Sequence, residues 1–101
     1  MIYLTEFEHQ IHVDAETELK KYTIQYALLD AQKTCRYAKF ITGRYYISVT
    51  FNRDHTIQLS SNYRTDAKFL RELTRLENVK YTLNTLTVFI HYWMNKLRKF
   101  K

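Results

Sequence analysis

The sequence predicts an α+β fold: a small three-stranded antiparallel sheet in the order β-α-β-β-α-α, packed against two or three helices. Three observations carry this reading. Apolar and polar side chains alternate through Tyr3–Val13 and again through Tyr45–Leu59, the period of a strand with one buried face. The second alternating stretch is interrupted by Asn52-Arg53-Asp54, a polar break of the kind that closes a hairpin. Near the C-terminus, Leu83, Leu86, Ile90, Trp93, Leu97 and Phe100 recur at three- and four-residue spacing, which sets six large side chains on one seam of a helix.

In chain order, the first strand is Tyr3–Val13, with Tyr3, Thr5, Phe7, His9, Ile11 and Val13 on one side. Asp14 then offers a capping side chain, and acids follow it where a helix dipole favours negative charge. A first helix is expected from Asp14 to about Asp30, with Leu19, Tyr22, Tyr26 and Leu29 as its apolar face and an Ala-containing continuation to Ala38. A strand over residues 21–29 is the alternative, because Tyr22, Ile24, Tyr26 and Leu28 also alternate. Thr42-Gly43 closes this helix or a short segment after it. The hairpin follows, with Tyr45, Ile47, Val49 and Phe51 on its first arm and Ile57 and Leu59 on its second. Thr65-Asp66 caps a second helix carrying Phe69, Leu70, Leu73 and Leu76. The third helix starts near Leu83, or is continuous with the second, since Asn78 is a weak breaker.

A chain of 101 residues suits a single domain and leaves no room for a second core. With one Gly and no Pro, glycine-rich phosphate loops are excluded, because such loops need several glycines to bring the backbone to phosphate. The uncharged stretch from Tyr81 to Met94 falls short of the ~17–25 residues of a membrane span, so no membrane partner is expected. The N-terminus lacks the basic and apolar regions of a secretion signal, and the lone Cys35 suits a reducing compartment; both point to the cytoplasm. The Gly- and Pro-poor composition, favouring Lys, Tyr, Asn and Ile, is compatible with a phage or mobile-element protein.

Catalysis requires convergent polar groups. Glu8, His9, His12 and Asp14 are close in sequence, but on one strand Glu8 and His12 lie ~13 Å apart and His9 turns to the other face. One ion does not bridge them, and a solvated polar face is the simpler reading. Cys35 has Lys33, Arg36 and Lys39 nearby to favour a thiolate, yet a small Cys on a helix reads more simply as a core filler. No metal, no cofactor and no enzymatic activity are expected.

Charge is the most informative property. Residues 1–32 carry two basic and six acidic side chains, whereas residues 33–101 carry fourteen basic and four acidic ones. The run from Lys33 to Tyr46 interleaves Lys33, Arg36, Lys39 and Arg44 with Tyr37, Phe40, Tyr45 and Tyr46. Cations neutralise phosphate and rings stack on bases, so a nucleic-acid-binding or regulatory protein is expected, DNA or RNA alike. Its contacts would be Lys33, Arg36, Lys39, Arg44, Arg53, Lys96, Arg98 and Lys99, provided that they gather on one accessible side. The same cations are also what solvated helix ends carry. The alternative is a protein-interaction module or inhibitor, acting on a protein of a nucleoprotein complex or as a homodimer. Its surface would be Leu86, Ile90, Trp93 and Leu97 of the C-terminal helix, unless that seam serves the core.

Overall fold

The computed structural model describes residues 2–5, 10–14, 16, 18–79 and 81–99, the first four by their backbone. It is an α+β fold with strands β1 (Ile2–Thr5), β2 (Gln10–Val13), β3 (Tyr37–Thr42), β4 (Tyr45–Phe51) and β5 (Ile57–Ser61). Three helices accompany them: α1 (Lys21–Thr34), α2 (Ala67–Asn78) and α3 (Leu83–Leu97). The sheet is larger than the expected three antiparallel strands, and it is mixed: five strands lie side by side in chain order. β2 and β3 are parallel and every other pair is antiparallel.

Two departures enlarge the sheet. The expected first strand is a pair, β1 and β2, with Ile2 opposite Val13 and Thr5 opposite Gln10. The expected helical continuation to Ala38 is β3, in which Ala38, Phe40 and Thr42 are buried and Tyr37, Lys39 and Ile41 are half-buried. Gly43 therefore turns a hairpin rather than ending a helix: Thr42 pairs with Tyr45 across a two-residue turn, and Gly43 takes φ 56° there. The parallel β2–β3 pair needs a crossover, and α1 supplies it.

α1 begins seven residues later than Asp14. Leu19 explains the delay, because its peptide groups are bound by a side chain: its N–H donates to Asn95 Oδ1 at 3.0 Å, and its C=O accepts from Asn95 Nδ2 at 3.2 Å. The apolar face of α1 also differs. Ile24, Ala27, Leu28 and Ala31 are buried, whereas Tyr22 and Tyr26 are 69% and 66% exposed. Two alanines in the buried stripe contribute little to a count of large apolar residues, yet they let the helix lie close to its neighbours. Cys35 ends α1 in the left-handed region with φ 52°, its N–H donating to Ala31 and Gln32 carbonyls; it is exposed, not the expected core filler.

The β4–β5 hairpin forms as expected, with Val49 opposite Leu59. Its turn is tied by Asn52 Nδ2 donating to Thr56 Oγ1 at 2.9 Å, and by Thr56 donating to Asp54 Oδ1 through both N–H (3.1 Å) and Oγ1 (2.6 Å). Asp66 caps α2 by accepting from the Phe69 N–H at 3.1 Å. α2 and α3 are separate helices: Val79 is extended, and Thr82 and Thr85 form a reciprocal capping box.

All three helices cover one sheet face. The buried side chains form one cluster in which Phe40, Ile47, Val49 and Phe51 from the sheet meet Leu28, Phe69, Leu86, Ile90, Trp93 and Leu97 from the helices. α1 and α3 run antiparallel, with Leu19 tied to Asn95 at one end and Gln32 Nε2 donating to the Tyr81 hydroxyl at 3.3 Å at the other. Among the described residues, none covers the opposite sheet face.

Candidate functional site

The uncovered face is built from the outward half of each strand's alternation. β3 contributes Tyr37, Lys39 and Ile41, β4 contributes Tyr46, Ser48 and Thr50, and β5 contributes Gln58 and Ser60, with Gln10 and His12 of β2 beyond them. No carboxylate stands among these described residues, and Lys39 is the one lysine or arginine. Register explains the grouping. Lys39 pairs with Ser48 and Tyr37 with Thr50, which makes Tyr46 a diagonal neighbour of Lys39. The Lys39 ammonium sits 4.5 Å from the Tyr46 ring centroid, a cation–π contact.

Tyr46 is held by its surroundings. Its N–H donates to Asn62 Oδ1 at 3.0 Å, its C=O accepts from Ser61 Oγ at 2.6 Å, and its hydroxyl lies 3.5 Å from Ser60 Oγ. Tyr37, Lys39, Tyr46, Ser48, Thr50 and Ser60 together line a shallow hollow of about 260 Å³. Two phenol rings, one ammonium and three aliphatic hydroxyls thus share one open surface. Such a set can accept an anion, stack on a planar group and donate hydrogen bonds.

The expected cations are not gathered there. Lys33 in the last turn of α1, Arg36 before β3 and Arg53 in the β4–β5 turn lie at the end of the sheet where β3 begins. Arg44 lies at the opposite end, in the β3–β4 turn, its guanidinium carbon 5.3 Å from the centroid of Tyr45, a ring that packs on the core. Lys96, Arg98 and Lys99 also belong to that end, because α3 finishes beside the start of α1. Six residues of strand separate the two groups by ~20 Å. Lys39 stands between them on the uncovered face. The eight cations are therefore two end clusters and one central lysine rather than one continuous patch.

The seam of Leu86, Ile90, Trp93 and Leu97 is turned inward, and all four side chains are buried in the chain's own core. Of that seam only an edge of Trp93, 1% exposed, reaches the surface. The outer side of α3 instead exposes Val88 and Tyr92. Glu8 and His9 of the rejected metal reading lie outside the described residues, as do Phe100 and Lys101. Among the described residues no three His, Cys, Asp or Glu side chains are placed to hold a metal ion, and no helix is long and apolar enough to cross a membrane.

Tyr37 and Tyr46 were not among the expected contacts, although the interleaving of rings and cations from Lys33 to Tyr46 was the signal for them. Reading that interleaving with period two, instead of as a helix, puts Tyr37 and Lys39 on one face. The chain has no significant match among known protein families, curated proteins or solved structures.

Proposed function

We propose that this protein binds single-stranded nucleic acid on the uncovered face of its sheet. The observation that carries the reading is the cluster of Tyr37, Lys39 and Tyr46 on a face whose described residues include no acid. Unpaired bases expose their ring faces, and a flat strand surface with two tyrosines offers stacking partners for them. Lys39 resting on Tyr46 is already close to its working position. It exchanges the ring for a phosphate oxygen, which leaves the Tyr46 face to a base. Ser48, Thr50 and Ser60 then supply hydrogen bonds to sugar or base edges. The cations at the two sheet ends, Arg53 at one and Arg44 at the other, extend the phosphate path beyond the hollow.

The test is a titration of fluorescent single-stranded DNA and RNA oligonucleotides at several salt concentrations. Binding is expected to weaken with salt, and Lys39→Ala lowers the salt slope by ~0.7, the value of one phosphate contact on a single strand. Tyr46→Ala costs ~1–3 kcal/mol of binding, the usual worth of one stacked base. Absence of binding by the folded protein at ~50 mM salt, where phosphate contacts are strong, overturns the reading. So does binding that Lys39→Ala and Tyr46→Ala leave unchanged.

A further inference from the structure

We propose that the groove between α2 and α3 is a docking site for an acidic amphipathic helix of a partner protein. The groove lies on the helical side of the molecule, away from the uncovered sheet face, and encloses about 500 Å³. Phe69 creates it. Its ring stacks on Phe89 with centroids 5.7 Å apart and meets Trp93 edge-on at 4.8 Å, so the two helices touch through aromatic rings. Helices separated by rings leave a channel above them. Leu76, Phe89 and Trp93 form its floor, and Val88 and Tyr92, 46% and 51% exposed, form the α3 wall.

The α2 wall is charged. Lys68, Glu72 and Arg75 follow one helix face at spacings of four and three residues. The single acid is already engaged, since Glu72 Oε2 accepts from Trp93 Nε1–H at 2.7 Å. Lys96 adds a third cation at one end, its Nζ 4.9 Å from the Trp93 ring centroid. An apolar channel bounded by Lys68, Arg75 and Lys96 complements a ligand with an apolar stripe and negative flanks.

The shape selects a helix. Both walls are helical and present no sheet edge for strand addition, and the seven steps from Lys68 to Arg75 span ~10.5 Å, two turns of helix. A second copy of this chain does not fit. Its exposed apolar stripe, Tyr22, Tyr26 and Leu29 on α1, is flanked by Lys21 and Lys33 with Asp30 as the one acid of that helix, so a second copy would set more cations than acids against the cationic wall. A nucleic acid does not fit either, because the floor is apolar.

Trp93 is the chain's one tryptophan and sits in the groove floor, so its emission reports occupancy. The probe is a synthetic Trp-free helical peptide of ~14 residues with Leu at i, i+4 and i+7 and Glu on both flanks. Two controls accompany it: the same peptide with Lys for Glu, and the acidic peptide with Ser for Leu. The acidic Leu peptide is expected to shift Trp93 emission saturably, and both controls to bind at least tenfold more weakly. The double variant Lys68→Glu/Arg75→Glu, confirmed as folded by circular dichroism, reverses the preference in favour of the Lys peptide. Equal binding of the two Leu peptides, no saturable shift, or no reversal in the double variant overturns the proposal. A dimer in sedimentation whose formation the acidic peptide blocks assigns the groove to a second copy, and an oligonucleotide displacing the peptide assigns it to nucleic acid; either outcome also overturns it. Lys39→Ala leaves the peptide titration unchanged, so this result is separate from that for the sheet face.

Discussion

The Asn95 side chain on α3 hydrogen-bonds both peptide groups of Leu19, donating to its C=O at 3.2 Å and accepting from its N–H at 3.0 Å. A carboxamide is the side chain that offers both a donor and an acceptor at this span, and here it substitutes for a further backbone partner. Asn95→Ala leaves both groups unpaired in a partly buried place and is expected to destabilise the fold by ~1–3 kcal/mol in urea unfolding. Asn95→Asp keeps the acceptor and loses the donor, so its loss is smaller at acidic pH, where the protonated carboxyl regains a donor.

Trp93→Ala tests whether the α3 seam belongs to the core. The indole is 1% exposed, and its N–H is bonded to Glu72. Truncation is expected to cost ~3–5 kcal/mol, enough to unfold much of the population of a small domain. Urea unfolding of the variant, followed by far-UV circular dichroism, checks this; an unchanged midpoint would return the seam to the role of a partner surface.

The two faces of α1 are expected to respond in opposite ways. Tyr22→Ser and Tyr26→Ser, on the exposed side, change stability by less than ~0.5 kcal/mol. Ala31→Leu forces three extra carbons between the helix and its neighbours and costs ~1–3 kcal/mol. Thermal melts of the three variants check the phase of the helix.

Asp54 is held below its ordinary carboxyl pKa of 3.8, chiefly by the hydrogen bond from the Thr56 hydroxyl and then by that from the Thr56 N–H. A folded pKa below the unfolded one means that the charged form favours the folded state. The tie is therefore fully present above pH ~4 and is lost as pH falls through the folded value. An NMR titration of the Asp54 carboxyl is expected to show a midpoint below 3.8, and Thr56→Ala to move it upward.

Cys35 occupies the left-handed position that glycine usually takes after a helix. Its side chain is exposed, so little packing is lost on removing it. Cys35→Gly is expected to raise stability by ~0.5–1 kcal/mol, the strain released less the added freedom of the unfolded chain. Chemical denaturation under reducing conditions checks this.

Elements whose signal is local were readable from the sequence. The β4–β5 hairpin has alternation and a turn within seventeen residues, from Tyr45 to Ser61, α2 declares itself by Asp66 at its start, and α3 by its apolar spacing, whereas the break between them, which the sequence leaves open, rests on the Thr82–Thr85 capping box. β3 was missed because Ala38 and Lys39 favour helices in isolation, and because its strand state depends on β2, separated from it by the whole of α1. The uncovered face was missed for the same reason: Tyr37 and Lys39 share a side only if residues 37–42 are extended. The dispersal of the cations was not readable either, since it depends on which end of the sheet each turn occupies. The inward orientation of the α3 seam was legible as amphipathicity, which does not distinguish a core from a partner surface.

The sheet's strands follow one another in the order in which they are made, and α3, which completes the cover over Phe40 and Ile47, comes after all of them. During synthesis the hairpins can pair as soon as they emerge, with α1 already made, but the cover over their apolar side stays incomplete until α3 leaves the ribosome. That interval is when the nascent chain is most exposed to unwanted association and most in need of a chaperone.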